Sequence, residues 1–428
     1  MAAHSLPRRG VLQKHEARQA MTMLLPTVVI VLSVIAFPLL ANFWISIKPI
    51  SLGDLRPPKP IAREQVKIVA TDSGKDAIVV RYRVRNSSRK TPLSDIVLHD
   101  TLAGLKITPV GTDDGDACRV AKDIVCTLPS LAAGGRTLLL LTLQAADIQA
   151  AAAALKKDKP SMSAEADAIL LNATFSWKNY RALFRADDFW EVIKVSLIYT
   201  IGGTGGALLL GLFAALLMAQ PFRGRAIWRG LLLFPYVAPV IAVAFTWVIL
   251  FDPFSGTVNA LLVNSGAVDE PISFFGVRAV PFALFGFTFN FPLALASVIA
   301  FECWRYFPLA FLFILARMQS LNADLDDAAA IDGASPLQKF YHIIMPQLIG
   351  IMSVMFLLRF IWTFNKFDDI FLLTGGASGT RTLVVNVYEQ AFALSNIGAG
   401  AAAAVVVFFV LMFCCLLYFR FAPKGEGW

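Results

Sequence analysis

The sequence predicts an α-helical polytopic membrane protein of about six transmembrane helices, with one inserted extracytoplasmic domain that is β-sandwich-like. Three observations predict it. Of 428 residues, 57% are hydrophobic and only 16% charged, with a mean hydropathy of +0.64, which leaves too little polar surface for a soluble globular protein. Six apolar runs are long enough to cross a bilayer, for which about 20 residues are needed. Between the first and second runs lies a long segment, 50–188, that is too polar to span and alternates in the way of strands.

Taken in order, residues 1–21 form a basic cytoplasmic N-terminus, and Thr22–Ile47 is the first span (22–47). Its apolar run is too long for a signal peptide and lacks a small-residue cleavage site, so it is expected to be retained. Pro57, Pro58 and Pro60 make a stiff linker into the 50–188 domain. Period-two alternation follows in Ala77–Arg85, Ser94–His99 and Thr137–Leu143, separated by turn residues, which predicts a small antiparallel β-sandwich. Ala145–Lys159, rich in Ala and Lys, is expected to be helical. The remaining spans are Val192–Met218, Ile227–Phe251, Pro292–Met318, Pro346–Leu373 and Ile397–Phe419, within a core of 189–421, followed by a tail at 422–428. Phe274–Phe291 is apolar too, but Arg278, Pro281 and its glycines suit a short re-entrant or interfacial piece. The glycine run Gly202, Gly203, Gly205, Gly206 with Gly211 lies inside an apolar span, where small residues let helices approach closely.

The net charge is +8, and its distribution sets orientation rather than indicating nucleic acid. With the N-terminus inside, Arg8, Arg9, Lys14, Arg18, Arg223, Arg225, Arg229, Lys339, Arg420 and Lys424 are cytoplasmic. The short outer loops keep only Arg278 and Arg381, as the positive-inside rule requires. The chain is thus expected to be multi-pass in a bacterial inner membrane, with both termini cytoplasmic and the 50–188 domain outside. Disulfides persist on that side, so Cys118 and Cys126 are expected to pair rather than remain two unlinked thiols. Cys303, Cys414 and Cys415 fall in spans as packing residues.

The polar break between the fourth and fifth spans, DAAAIDGASPLQKFYHIIMP, is built for a helix–turn–helix. Asp324 and Asp327 suit a helix N-terminus and Ala328, Ala329 and Ala330 a slim helix. Gly333 permits a sharp change of direction, and Pro336 suits the first turn of a second helix. An ordinary cytoplasmic connection would have the same parts. Its pattern, however, resembles the coupling loop of ABC-importer permeases, carried here by Asp327, Ala328, Ala329, Asp332, Gly333, Ala334, Phe340, Ile343 and Pro346, within 323–345. The departure is Asp327, where that family usually has Glu, one methylene longer.

From Trp177 onward the chain resembles the membrane subunit of maltose-type carbohydrate importers, over about Asn179–Phe421. The resemblance is carried by Asn179-Tyr180, FRGRAIWRGLLLFPYVAP at Phe222–Pro239, Trp247–Phe251, Gly256-Thr257-Val258-Asn259, Thr374-Gly375-Gly376 and VYEQAF at Val387–Phe392. The outer segment, over about Val66–Leu143, resembles the immunoglobulin-like repeat of bacterial surface proteins. The permease resemblance implies partners: two ATP-binding subunits, a second permease subunit and an extracytoplasmic solute-binding protein, besides the lipid bilayer. It implies no cofactor in this chain, ATP and Mg residing on the partner ATPase. The absence of any G-x-x-x-x-G-K-[ST] stretch agrees with that.

Two spans carry ionisable residues, which are costly in a bilayer and so face a cavity or a partner. Glu302, Arg305 and Tyr306 share one helical face, and Arg359, Trp362, Thr363, Lys366 and Asp369 share another. The resemblance implies that Glu302, Arg305, Tyr306, Arg359, Trp362, Thr363 and Lys366, with Tyr236, line a sugar path. Two readings compete. The charges pair internally, Glu302 with Arg359 or Arg305 and Lys366 with Asp369; or surplus positive charge meets an anionic sugar, for which Arg is suited. The function expected is passage of a carbohydrate, neutral or anionic, into the cytoplasm. Alternatives are a permease for another solute (glycerol-phosphate, polyamine or anion) or a membrane-anchored sensor or scaffold built on the outer domain. That domain either stabilises the assembly or grips a binding protein. Catalysis is not expected: His4, His15, His99 and His342 are scattered, and neither a metal-ligand cluster nor a nucleophile–base pair is visible.

Overall fold

The computed structural model describes residues 11–421, apart from 71–75, 102–106, 113–117, 121–122, 158, 168–173, 285–286 and 322. The chain divides into two compact units, Met1–Ile47 with Trp177–Trp428, and Lys48–Ser176. The sequence-based boundary at 188 therefore moves inward. Lys178–Phe184 is a helix of the first unit, because Asn179 donates to the Ser46 carbonyl (2.9 Å) and Tyr180 shares a hydroxyl contact with Ser46 (2.7 Å).

The Lys48–Ser176 unit holds two four-stranded antiparallel sheets. One has the order β1 (Pro60–Ala70), β2 (Asp76–Asn86), β7 (Arg136–Ala145), β4 (Ile107–Thr112). The other runs β5 (Cys118–Val120), β6 (Asp123–Leu128), β3 (Ser94–Thr101), β8 (Ser161–Glu165). Alternation explains the core. Ile78, Val80, Tyr82 and Val84 of β2 are buried with Leu139, Leu141 and Leu143 of β7, Ile96 and Leu98 of β3, and Ile124 and Leu128 of β6. Helix α3 (Ile148–Lys157) adds Ala151, Ala152 and Leu155 to that core. Cys118 and Cys126 are cross-strand partners and form a disulfide.

Five strands were not expected, β1, β4, β5, β6 and β8, and all of them but β6 are edges. In β1, Pro60 opens the strand instead of closing a linker, a position where a missing N–H is tolerated, and charged side chains there discourage edge pairing with other chains. Glu64 of β1 faces Tyr82 in register, and Tyr82 donates to Asp100 of β3. Burial, and then the negative charge of Asp100, pushes the Glu64 carboxyl up to about 7. A proton on Glu64 thus relieves the crowding of two acids.

The other unit is helical. Its long apolar helices are Gln19–Ser46, which comprises most of α1 (Val11–Ile30), a π turn Val31–Ala36 and α2 (Phe37–Ser46); α5 (Phe189–Ala219); α10 (Leu293–Gln319); Pro336–Phe364; and Ile397–Phe421. A sixth is broken: Arg225–Val237, made of α6 (Arg225–Leu232) and α7 (Phe234–Val237), meets α8 (Val240–Leu250) at 92°. The expected span Ile227–Phe251 is thus two helices rather than one. Pro239 has no N–H, and it forces Ala238 out of the helical region, to φ −63° and ψ 142°. The expected span Pro346–Leu373 also ends early, at Phe364, and Asp368–Thr374 is a separate short helix.

Phe274–Phe291, expected as a short re-entrant or interfacial piece, contains a hairpin of β9 (Val280–Leu284) and β10 (Phe287–Phe291). Alternating aromatic and β-branched residues favour strands over so short a length.

Helix α5 packs along α10. A Cβ on Gly211 would lie 2.6 Å from Ala310 Cβ and 2.8 Å from the Phe311 nitrogen, so only glycine permits the approach. The first span rests on the last, with Phe43 edge-on to Phe408 and Phe409 (5.9 and 6.0 Å). At the N-terminal end of α5, Arg278 pairs with Glu191, and Arg381 pairs with both Asp188 and Glu389.

Candidate functional site

Polar side chains converge where α5, α10 and the Pro336–Phe364 helix meet. Glu302 of α10 is fully buried, and so is Arg359, at 0% and 2% exposure. The two form an ion pair, with Arg359 Nη2 donating to Glu302 Oε1. Thr363, one turn beyond Arg359, donates to the same carboxylate oxygen at 2.9 Å and accepts from Arg359 Nη2 at 3.0 Å. Tyr199 of α5 donates to the other oxygen, Oε2, at 3.0 Å. A carboxylate in an apolar bundle is thereby saturated from two neighbouring helices, which is the condition for burying a charge.

Tyr306 is the second centre. The Arg359 guanidinium lies 4.1 Å and the Lys366 ammonium 3.7 Å from its ring centroid, and Lys366 donates to its hydroxyl. Lys366 also faces Asp369 at 3.4 Å, and that carboxylate is fully buried at the start of Asp368–Thr374. Glu302 and Arg359 form one pair, Lys366 and Asp369 another, and both pairs hold cations against one aromatic ring. Such cation–π contacts gain strength where water is excluded.

Arg305 stands apart from these pairs. Its guanidinium donates to the carbonyls of Pro235 (3.3 Å) and Ala238 (3.1 Å), at the α7 end of the 92° break. Tyr236, between them, is 39% exposed and packs edge-on to Tyr306 at 6.0 Å. Trp362 is 48% exposed and makes none of these polar contacts.

The structure therefore brings together Tyr236, Glu302, Arg305, Tyr306, Arg359, Thr363 and Lys366, and it leaves Trp362 on an open face. Sequence reasoning passed over Tyr199. A neutral phenol in an apolar span gives no charge signal, although the hydroxyls of Ser196, Tyr199 and Thr200 mark one stretch of α5 as polar. Among the described residues, no group of three His, Cys, Asp or Glu side chains is arranged to hold a metal ion.

The second feature is the hairpin between α10 and the next long helix. Helix α11 (Ala323–Ile331) ends in a turn in which Gly333 has φ +74°. Helix α12 (Pro336–Lys339) follows with a full capping box, Ser335 and Gln338 satisfying each other's backbone N–H groups. A π turn, Phe340–Ile344, then feeds directly into α13 (Met345–Phe364). Asp327, Ala328, Asp332 and Gly333 are exposed, as are Ile331 and Leu337, at 88% and 66%. Phe340 and Ile343 are half-buried, and Pro346 lies in the first turn of α13. Beside the hairpin, against the end of α5, is an open cleft of about 830 Å³ lined by Leu216, Gln220, Gly333, Pro336, Phe340 and Ile344 among others. A short helix with exposed apolar residues and a groove beside it is a shape that another protein can engage.

Comparison with known proteins adds to this geometry. Residues 207–424 match the model of a family described as "binding-protein-dependent transport system inner membrane component". The chain is 35% identical to the probable ABC transporter permease protein y4oQ of Sinorhizobium fredii over 226 residues, 52% of this chain and 68% of the relative. It is 30% identical to the trehalose/maltose transport system permease protein MalF of Thermococcus litoralis over 226 residues, 53% of this chain and 72% of the relative. A solved structure, of a bacterial alginate ABC transporter in complex with alginate pentasaccharide-bound periplasmic protein, has a similar fold: the TM-score is 0.50 with 19% identity, over 59% of this chain and 85% of that one.

Proposed function

The chain belongs to the family of binding-protein-dependent transport system inner membrane components, and on that premise we propose its solute and its partners. It is a multi-pass inner-membrane permease subunit of an ABC importer for sugars or related solutes, and ATP hydrolysis belongs to a separate protein. Within that class we read the solute as a carbohydrate, and as a neutral one. The observation that carries the reading is the internal pairing of Glu302 with Arg359 and of Lys366 with Asp369. Together with the Arg305 guanidinium turned to backbone carbonyls, it leaves aromatic and hydroxyl groups, not free cations, to meet a solute. Tyr236 and Trp362 offer faces on which a sugar ring stacks. The trehalose/maltose relative supports the same class.

The partners we propose are two ATP-binding subunits that carry ATP and Mg, a second permease subunit and an external solute-binding protein. The hairpin of α11 and α12 would dock into an ATP-binding subunit on the cytoplasmic side, with both termini on that side. The arginine- and lysine-rich inner loops support this orientation.

The test is reconstitution of the chain with an ATPase, a second permease and a binding protein, followed by uptake of maltose and of maltobionate, whose second sugar is opened to an acyclic unit bearing a carboxylate. Maltose should be taken up and maltobionate excluded. Preference for maltobionate, lost in Arg359→Ala and Lys366→Ala, would overturn the neutral reading. Failure of the chain to retain an ATPase on purification would overturn the partner assignment.

A further inference from the structure

Breaking a helix inside an apolar segment strands backbone carbonyls that no water can reach. Each unsatisfied group costs several kcal/mol in hydrocarbon, so irregular backbone survives there only where something else satisfies it. At the α7–α8 junction the stranded groups can be identified. In a continuous helix the Pro235 carbonyl would accept from the N–H of residue 239, but residue 239 is proline and has none. The preceding carbonyl is provided for, since Ala238 N donates to Phe234 O at 3.1 Å. On the far side, Val243 N donates to Pro239 O at 3.1 Å, which opens α8 and leaves the Ala238 carbonyl outside the ladder. The carbonyls of Pro235, Tyr236, Val237 and Ala238 all lie past the last ladder bond of α7. Arg305 reaches the first and the last of them, Nη1 to Pro235 O at 3.3 Å and Nη2 to Ala238 O at 3.1 Å.

We propose that Arg305 is a positioning residue for the solute path: its forked guanidinium clamps the C-terminal end of α7 at the break, from Pro235 to Ala238, and so holds Tyr236, which lies between them, against Tyr306. Three features make arginine suited to this task. Its donors diverge from a rigid plane, so one side chain serves two acceptors at once. Its charge lies beside the C-terminal end of α7, where cations are favoured. The guanidinium is itself 5.5 Å from the Tyr306 ring centroid and donates from Nε to the Tyr306 hydroxyl at 3.3 Å, so clamp and ring move as one unit. The inference rests on reading Tyr236 and Tyr306 as part of the solute path, but the clamp can be tested without a solute.

A nitroxide label on Tyr236→Cys, in a background of Cys303→Ala, Cys414→Ala and Cys415→Ala, reports local order in the full chain in lipid nanodiscs. A second label, at Leu209→Cys on the exposed face of α5, reports general damage. With Arg305 present, the label at 236 should be ordered. Arg305→Gln should raise its mobile fraction about tenfold, the shift expected from losing charged hydrogen bonds, and leave the label at 209 unchanged. Arg305→Lys, which keeps the charge but lacks the fork, should restore order only in part.

The clamp is overturned if neither variant alters the label at 236, or if both variants loosen 236 and 209 together, which would mean general packing. Uptake separates this from the reading beneath it. If Tyr236→Ala transports maltose as wild type does, the path assignment fails whatever the label shows. If Tyr236→Ala impairs uptake, adding Arg305→Gln should make it no worse, because Arg305 acts through Tyr236.

Discussion

Glu302 shows how a residue read as costly in a span becomes tolerable, and why its partners are not interchangeable. The carboxylate takes hydrogen bonds from Arg359, Thr363 and Tyr199, and removing one member leaves the others buried without compensation. Glu302→Gln should therefore destabilise the helical unit by about 3–5 kcal/mol, the usual cost of stranding one half of a buried ion pair. Glu302→Leu combined with Arg359→Met should be markedly less damaging than either single change, because no charge is stranded. Thermal unfolding in detergent measures both, and equal loss in single and double variants would refute the account. In the sequence, spacing gives two separate polar faces, one holding Glu302, Arg305 and Tyr306 and the other Arg359, Trp362, Thr363, Lys366 and Asp369. Choosing Arg359 over Arg305 as the partner of Glu302 needed the crossing of two helices, which no spacing within one helix encodes.

Helices and turns divide in the same way, into those set by neighbours in the chain and those set by distant ones. The hairpin of α11 and α12 is of the first kind. Ser335, Pro336 and Gln338 cap α12 locally, and Gly333 turns the chain at φ +74°. A Cβ at Gly333 would meet nothing within 4 Å, so the penalty for replacing it is one of backbone conformation alone, about 1–2 kcal/mol. Gly333→Val should shift the turn and abolish stimulation of the partner's ATPase by loaded binding protein. Gly333→Asn should retain most of it, since Asn tolerates this conformation. ATPase assays on the assembled complex decide it, and a Val variant that couples normally would sink the idea that the turn presents the hairpin. The broken span is of the second kind. Pro239 marks a bend in the sequence, but whether the apolar run continues straight past a proline or turns by 92° depends on Arg305, which lies 66 residues further on. That Phe274–Phe291 holds a hairpin of β9 and β10 was not legible for a related reason: with so few residues, an apolar run fits helix and strand alike.

The inserted domain and the helical unit are separable, and the sequence conveys why. Alternation exposed β2, β3 and β7, long central strands that build the core between the two sheets, whereas the edges β1, β4, β5 and β8 gave no such signal, nor did β6, a central strand of only six residues. The helical unit resumes where the first one paused: Ser46 at the end of α2 touches Asn179 and Tyr180 at the start of α4 (Lys178–Phe184). Ends that lie this close are what an inserted domain requires, since neither side of the insertion is stretched by its removal. The family match also begins beyond the insertion, at residue 207. Replacing Lys48–Ser176 by a short Gly/Ser linker should therefore leave the helical unit folded and still able to bind its ATPase, with the Glu302–Arg359 pair intact. Gel filtration and co-purification with the ATPase measure this. Retained assembly with lost uptake from the binding protein would assign the domain to solute delivery, whereas full uptake would assign it to accessory support. Aggregation of the shortened chain, with the linker long enough to span Ser46 to Asn179, would show that the helical unit depends on the insertion and would overturn the separability argued here.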